Sequence, residues 1–165
     1  MAKTKLSYTP APGAEVTILI RPVEQSDRPG WERLFRGYRD FYALTHDDAV
    51  IDTVWRWLNN DSHELNALIA VQGGVPIGLA HWRRFARPSR GGEAIFLDDL
   101  FTASDARGHG VGSAMITRLQ EIATEEGLLE VRWITSESNT DAQRLYERVA
   151  QRSPFLTYIA PVGGG

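Results

Sequence analysis

The sequence has no cysteine among its 165 residues, which excludes disulfide bonds, a thiolate nucleophile and cysteine-ligated zinc or iron–sulfur sites. It has no run approaching the ~18 apolar residues of a membrane-spanning helix, and its N-terminus lacks the charged start, apolar run and cleavage site of a signal peptide. Positive charge is not in excess, because the formal net charge is -3. The electric field of a negatively charged protein repels phosphate polymers such as nucleic acids. We therefore expect a cytoplasmic protein without nucleic acid or membrane partners.

The four histidines do not indicate a metal site. His46, His63 and His81 show none of the spacings that metal ligands adopt. His109 lies between two glycines, where its ring is expected to face solvent. We therefore predict no bound metal.

Length and composition are those of one ordinary domain with its own hydrophobic core. Residues 1–15 mix lysine, threonine, serine, proline and glycine with little apolar periodicity, which predicts a flexible N-terminal tail. The rest of the sequence shows no internal repeat and no low-complexity insertion. It predicts a single domain over residues 16–162.

Apolar periodicity predicts an alternation of strands and helices along this domain. Ser26 or Asp27 is expected to cap the first helix, which carries aromatic residues at helical spacing as far as Tyr42. Three further helices are predicted at 47–58, 110–126 and 139–149, and strands at 16–23, 64–72, 75–85, 93–102, 130–135 and 155–160. This order predicts an α/β (α+β) fold with a mixed central sheet and helices on both faces.

The strongest functional signal is a glycine-rich turn at residues 107–113, between a predicted strand and a predicted helix. Glycines at alternate positions let a ligand approach the backbone N–H groups, and the helix that begins there adds donors and partial positive charge. Together with the cation of Arg107, these features favour a pyrophosphate. The spacing matches neither the loop of nucleotide hydrolases nor that of dinucleotide folds. The alternative is an ordinary flexible turn.

Two acids, Asp98 and Asp99, interrupt the otherwise apolar strand just before this turn. Ionised carboxylates among apolar neighbours are costly unless they are paired or hydrated. One interpretation is a general base whose pKa is raised by burial and by its charged neighbour, in a site that attracts a cationic amine. The other is a bulge or strand end where both acids meet solvent. Because strand side chains alternate, only one acid lines a site unless the strand bulges.

A third signal is the predicted helix at 139–149. Asn139 and Tyr146 are two helical turns apart and share one face. A phenol is a suitable proton donor to a thiolate leaving group, because its unperturbed pKa of ~10 exceeds that of a thiol. The structural alternatives are a helix cap for Asn139 and a core aromatic for Tyr146.

Together the three segments resemble the GNAT superfamily of acyl-CoA-dependent N-acyltransferases. The family's Arg/Gln-x-x-Gly-x-Gly/Ala signature and its later Asn, Ala and Tyr pattern are present as Arg107, Gly110 and Gly112, and as Asn139, Ala142 and Tyr146. The acidic run at 97–105 is similar to that of the diamine and polyamine acetyltransferases, with Asp98 in place of a longer Glu. Residues 93–160 also look similar to the small histone and polyamine acetyltransferases of fungi and bacteria. This resemblance implies a mostly antiparallel GNAT-like sheet and acetyl-CoA as acyl donor.

The resemblance also implies roles for individual residues. Asp98 would act as base through water, Asp99 would help hold the cationic substrate, and Tyr146 would protonate the thiolate. Tyr38 or Tyr42, on the first helix, would line the acceptor pocket, with a place in the core as the alternative for both. The residues implied to bind the cofactor are Leu100, Phe101 and Thr102 along the pantetheine arm, Arg107, Gly108, His109, Gly110, Val111, Gly112 and Ser113 around the pyrophosphate, and Asn139 and Ala142.

The sequence therefore predicts direct acetyl transfer from acetyl-CoA to a primary amine of a polyamine, diamine or amino acid. With no cysteine, a thiol-based ping-pong route is excluded. Two alternatives remain open, a histone-type acetyltransferase of protein lysines or N-termini and a non-catalytic acyl-CoA sensor. The resemblance also implies a homodimer.

Overall fold

The computed structural model describes residues 5–8 and 16–163. The chain divides into two compact units, Met1–Ile134 and Thr135–Gly165. Within the described residues, the first unit contains a six-stranded sheet and three α-helices, and the second contains one α-helix. None of the helices in this part of the chain is long and apolar enough to cross a membrane. That the two units form the single domain expected over 16–162 stays a prediction.

The sheet of the first unit has its strands in sequence order. Each of the first five strands pairs antiparallel with the next, and the sixth pairs parallel with the fifth. The predicted mixed, mostly antiparallel sheet is thereby confirmed. The strands are β1 Lys5–Tyr8, β2 Val16–Pro22, β3 Asn66–Gln72, β4 Val75–Arg87, β5 Gly92–Thr102 and β6 Val131–Arg132.

Strand β1 lies within the segment predicted to be a flexible tail, so that prediction is wrong for these four residues. Lys5 pairs with Leu19, and Tyr8 pairs with Val16 of β2. The pairing uses backbone groups, which every residue except proline can offer. Composition and periodicity therefore gave no sign of it. The rest of the predicted tail, residues 1–4 and 9–15, lies outside the described residues.

Each helix begins and ends close to where local signals predict. Asp47 caps the second helix by accepting hydrogen bonds from the N–H groups of Ala49 at 2.9 Å and Val50 at 3.4 Å. Gly127, with φ of +69°, follows the end of the third in the left-handed conformation that glycine adopts readily. The helices are α1 Arg28–Phe41, α2 Asp48–Leu58, α3 Val111–Glu125 and α4 Thr140–Val149.

Helices pack on both faces of the sheet, as the alternation of strand side chains requires. On one face, a buried cluster joins residues of α1 and α2 to Ala67 and Ile69 of β3 and Leu79 of β4. On the other face, Gly78 of β4 lies against Val111, the first residue of α3. The predicted two-sided arrangement is confirmed.

The start of α1 is anchored to the sheet by an ion pair. The Arg21 guanidinium donates to both carboxylate oxygens of Asp27, at 2.5 and 2.8 Å, and the backbone N–H of Glu24 also donates to Asp27. Hydrogen bonding from Arg21 holds the pKa of Asp27 below its usual value, against the opposing effect of burial. The pair fixes the direction in which α1 leaves β2.

In the second unit, Asn139 accepts a hydrogen bond from the N–H of Ala142 at 3.3 Å and so caps α4. The strand predicted at 155–160 is wrong, because these residues have no regular structure and large side chains such as Phe155 and Tyr158 are more than 80% exposed. Alternating apolar residues indicate a preference for a pleated surface. Strand formation also requires a neighbouring strand, which the pattern does not supply.

The contact between β4 and α3 leaves no room for a side chain at Gly78. A Cβ there would lie 2.8 Å from Cγ1 of Val111 and 3.2 Å from Cβ of Ala70. We expect Gly78→Ala to lower the free energy of unfolding by about 1–3 kcal/mol, measured by urea denaturation. Gly163→Ala is the control, because a Cβ at this position meets nothing within 4 Å. Its effect should stay within about 0.5 kcal/mol. Equal stability of the two variants would contradict the packing argument.

Candidate active site

The centre of the candidate site is a β-bulge between β4 and β5. His81 pairs with Asp99, and the next residue, Trp82, pairs with Leu97. Asp98 is therefore an extra residue without a partner on β4, as a bulge requires. The bulge breaks the alternation that would send adjacent side chains to opposite faces. Both carboxylates are largely buried, with 29% of the Asp98 side chain and 23% of the Asp99 side chain exposed, so they do not lie in open solvent.

Asp98 combines burial with one cationic neighbour. Nε of Arg83 donates to Oδ1 at 3.3 Å and lies 3.2 Å from Oδ2, without the alignment of a second hydrogen bond. Oδ2 is shielded from solvent and has no hydrogen-bond partner among the described residues. Burial raises the pKa of Asp98, Arg83 opposes this, and the charge of Asp99 adds to it. The result is a carboxyl whose pKa lies above its ordinary value.

Asp99 has a different environment. Its Oδ2 lies 2.8 Å from Nδ1 of His81, and Nε2 of His81 accepts a hydrogen bond from the indole N–H of Trp31 at 2.9 Å. His81 is only 1% exposed. The sequence did not indicate a role for this histidine, because it was considered only as a metal ligand and its spacing from the other histidines matches no metal site. The short connection at residues 88–91 pairs β4 with β5 and so brings His81 opposite the acid pair, but the contact with Trp31 required the tertiary structure.

Beyond the bulge, β5 has one open backbone edge. Leu100, Phe101 and Thr102 pair with β4 on one side. On the other side only Ile95 and Phe96 pair with β6, so residues 97–102 have no strand partner there in the described part of the chain. An extended polar chain bound at this edge could form hydrogen bonds as a further strand does. This geometry fits the role predicted for residues 100–102.

The glycine turn follows at the end of this strand. Gly108 and Gly110 have φ of +76° and +79°, a left-handed conformation that side chains disfavour. Gly110 precedes α3, and none of the described side chains caps that helix. The backbone N–H groups of Val111, Gly112 and Ser113 are thus free to donate to an anion. The turn fits a diphosphate.

Arg107 is held over the end of β5. Its Nε donates to the backbone oxygen of Thr102 at 3.1 Å. Its guanidinium lies 5.6 Å from the ring centroid of Phe41 and 5.5 Å from that of Phe101, within cation–π range. These contacts fix a cation beside the open edge of the strand. His109 is exposed, in the orientation expected from its flanking glycines.

Tyr38 lies on the α1 side of the sheet and is half-buried. Its ring centroid is 6.3 Å from that of Phe35, which in turn lies 4.9 Å from the His81 ring. The tyrosine therefore belongs to the aromatic layer that covers the histidine. Its role in the acceptor pocket stays a prediction.

The remaining predicted site residues lie in the second unit. Asn139 is the cap of α4, with Ala142 as the donor to its side chain. Tyr146 is half-buried in the same helix. The cap was one of the interpretations open for Asn139. The cofactor roles of Asn139 and Ala142 and the acid role of Tyr146 stay predictions.

A family model described as the acetyltransferase (GNAT) family matches residues 31–150, which include the acid pair, the glycine turn and α4. The chain belongs to this family. The resemblance drawn from the three motifs is thereby confirmed, and with it the prediction of an acetyl-CoA-dependent N-acetyltransferase. Among the described residues of this acetyltransferase, no group of three or more His, Asp or Glu side chains is placed to hold a metal ion.

Individual relatives extend this result. The D-amino-acid N-acetyltransferase HPA3 of Saccharomyces cerevisiae is 27% identical over 86% of this chain and 89% of its own length. The thialysine N-epsilon-acetyltransferase of Sus scrofa is 31% identical over 82% of this chain and 85% of its own. A solved structure of the aminoglycoside N-acetyltransferase AAC(6')-Iy in complex with CoA has a TM-score of 0.74 at 22% identity, and the match covers 92% of this chain and 98% of that one. The structural likeness confirms the fold.

The environment of Asp98 generates a prediction about pH. Arg83 lowers the pKa of Asp98 through its charge and its hydrogen bond. In Arg83→Gln this effect is lost, so the pKa of Asp98 should rise further, and its titration by carboxyl NMR should move to higher pH. If Asp98 is the base, the acid limb of the pH–rate profile moves in the same direction, because only the carboxylate accepts a proton.

Arg84→Gln is the matched control for this experiment. Arg84 is the next residue of β4, but its guanidinium pairs with Glu126 at 2.6 and 2.7 Å. The Asp98 titration should be unchanged in this variant. An equal movement in both variants, or none in Arg83→Gln, would contradict the assignment of Arg83 as the cation that opposes the effect of burial.

Proposed function

We propose that this acetyltransferase transfers the acetyl group of acetyl-CoA directly to the primary amine of a small molecule, a polyamine, diamine or amino acid. The observation that carries the proposal is the bulge, which buries two carboxylates beside an open strand edge. One has a raised pKa and a shielded oxygen without a hydrogen-bond partner among the described residues. The other, Asp99, lies 2.8 Å from Nδ1 of His81. Such a site suits a cationic amine that must lose a proton.

Acetyl-CoA would lie along the open edge of β5 and over the glycine turn. The backbone of residues 100–102 would pair with its pantetheine arm, and the N–H groups at the start of α3 would bind its pyrophosphate. Arg107 adds a fixed cation between these two regions. When bound there, acetyl-CoA supplies the acetyl group as a thioester. The relative AAC(6')-Iy, solved with CoA, supports the assignment.

Proton transfer is assigned to Asp98 and Tyr146. Asp98 accepts the proton of the acceptor's ammonium group, directly or through water, and its raised pKa brings it closer to the working pH of a base. Asp99 attracts the cation and holds it. Backbone N–H groups along β5 would polarise the acyl carbonyl of bound acetyl-CoA. The Tyr146 hydroxyl donates a proton to the departing thiolate, a role that rests on the sequence pattern.

The names of the relatives support a small acceptor. One relative is described as acting on D-amino acids and another on thialysine. The sequence predictions of a homodimer and a cytoplasmic location are retained as parts of the proposal. Support for the homodimer comes from exposed apolar side chains near the end of the described chain, at Phe155, Leu156, Tyr158 and Ile159.

A thiol-release assay tests the proposal. Acetyl-CoA is supplied with spermidine, putrescine, D- and L-amino acids, lysine, thialysine and a histone-tail peptide. We expect at least one small amine to be acetylated with a higher kcat/KM than the peptide. Preference for the peptide would favour a protein acetyltransferase. Binding of acetyl-CoA without thiol release from any of these acceptors would favour a sensor and contradict the proposal.

Substitution of the base provides a direct test. Asp98→Asn should lower kcat for the best amine by about 10²- to 10⁴-fold, because an amide cannot accept the proton. The dissociation constant for acetyl-CoA, measured by calorimetry, should be nearly unchanged. Glu93→Gln, an exposed position on the same strand, is the control and should retain full activity. Normal turnover of the Asp98 variant would remove this residue from the mechanism.

The proposed acid is tested in the same way. Tyr146→Phe removes only the phenolic hydroxyl and should lower kcat strongly, by about 10²-fold or more, with near-normal affinity for acetyl-CoA. Tyr158→Phe in the same unit is the control, because Tyr158 is 87% exposed. If both variants turn over at the same rate, Tyr146 does not act as the acid.

A further inference from the structure

A buried hydrogen-bonded chain links α1 to the acid pair through His81. The indole N–H of Trp31 donates to Nε2 of His81 at 2.9 Å, and Nδ1 of His81 lies 2.8 Å from Oδ2 of Asp99. His81 and Asp99 are direct partners across β4 and β5. The histidine ring is covered by the edge-on ring of Phe35 at 4.9 Å. Nothing in the proposed mechanism so far uses this histidine.

The chemistry of the chain fixes where the proton of His81 lies. An indole nitrogen can only donate, so Nε2 must offer its lone pair. A neutral imidazole then carries its single proton on Nδ1, from which it donates to Asp99. A second proton on the ring would have to displace the indole inside a solvent-shielded contact. His81 is therefore a neutral donor, and Asp99 is the acceptor that carries charge.

The charged groups around His81 are consistent with this arrangement. Asp99 and Asp98 face it from β5, and the guanidinium of Arg83 is hydrogen-bonded to Asp98. The residues that contact it from α1, Trp31 and Phe35, are uncharged. The histidine therefore adds no positive charge that would cancel Asp99. It holds one carboxylate oxygen in place and leaves the negative charge of the site intact.

We infer that His81, locked by Trp31, is a positioning residue that orients Asp99 to bind the ammonium group of the acceptor. This inference rests on the proposed function and deepens it. The hydrogen bond to Oδ2 fixes the plane of the Asp99 carboxylate, and the described residues give its other oxygen no hydrogen bond. That oxygen is the one presented to the amine. The two acids thus divide their tasks, Asp98 as base and Asp99 as binding group.

A pair of substitutions separates this role from simple packing. In His81→Asn, the side-chain amide nitrogen lies near the position of Nδ1 and can still donate to Asp99. In His81→Leu, no donor remains. Both variants lose the contact with Trp31, and Asn and Leu are similar in shape. Asn carries the larger cost of burying a polar group, which works against the rescue that we expect from it. We expect His81→Leu to raise KM for spermidine or lysine about tenfold or more, and His81→Asn to restore most of the loss. KM for acetyl-CoA should change in neither.

Equal effects of the two variants, or a parallel loss for amine and acetyl-CoA, would overturn the inference. A measurement on the unsubstituted protein keeps it testable even where a variant fails to fold. Nitrogen NMR should show His81 protonated at Nδ1 and unprotonated at Nε2. A proton on Nε2 would overturn the inference as well.

A binding experiment distinguishes failure of this inference from failure of the proposed function. If no amine is acetylated, the binding of spermidine and lysine, measured by calorimetry, decides the role of His81. Tight binding to the original chain and to His81→Asn, with about tenfold weaker binding to His81→Leu, supports it without catalysis. Equal binding to all three proteins, or no amine binding at all, overturns it.

Discussion

One extra residue in β5 determines the character of the site. Without the bulge at Asp98, adjacent side chains of the strand would alternate, and the two acids would lie on opposite faces of the sheet. With it, both are held in largely buried surroundings next to β4. The same register places His81 directly opposite Asp99 and Arg83 within reach of Asp98. The partners of each carboxylate therefore follow from a local irregularity of backbone pairing.

Two carboxyl groups adjacent in sequence thereby acquire different properties. Asp98 meets a cation, yet burial outweighs it and raises the pKa. Asp99 meets the Nδ1 side of the His81 ring, whose Nε2 accepts a hydrogen bond from the indole of Trp31. In the proposed reaction, a base and a cation-binding group are both needed within a few ångströms. The hydrogen-bond partners, rather than the residue types, distinguish them.

The rest of the first unit holds the proposed cofactor region against this centre. The parallel pairing of β5 with β6 ends at Phe96, and no strand of the described residues pairs with the backbone edge that follows. The glycine turn continues from that edge into α3, whose first residue packs on Gly78 of β4.

Local backbone pairing also explains the errors in predicting the fold. Strand β1 was missed because its pairing leaves no trace in composition, and the strand expected at 155–160 was wrong because apolar alternation does not supply a partner.

The sequence by itself determined the family, the order of most elements and the glycine turn, because these depend on residue types at fixed short spacings. It also predicted that Asp98 and Asp99 could share a site only through a bulge. Only the tertiary structure decided that the bulge is there, that Arg83 pairs with one acid and His81 with the other, and that Trp31 fixes the histidine. These contacts join residues up to 50 positions apart. Strand register and helix packing bring them together, and neither is encoded in a local pattern.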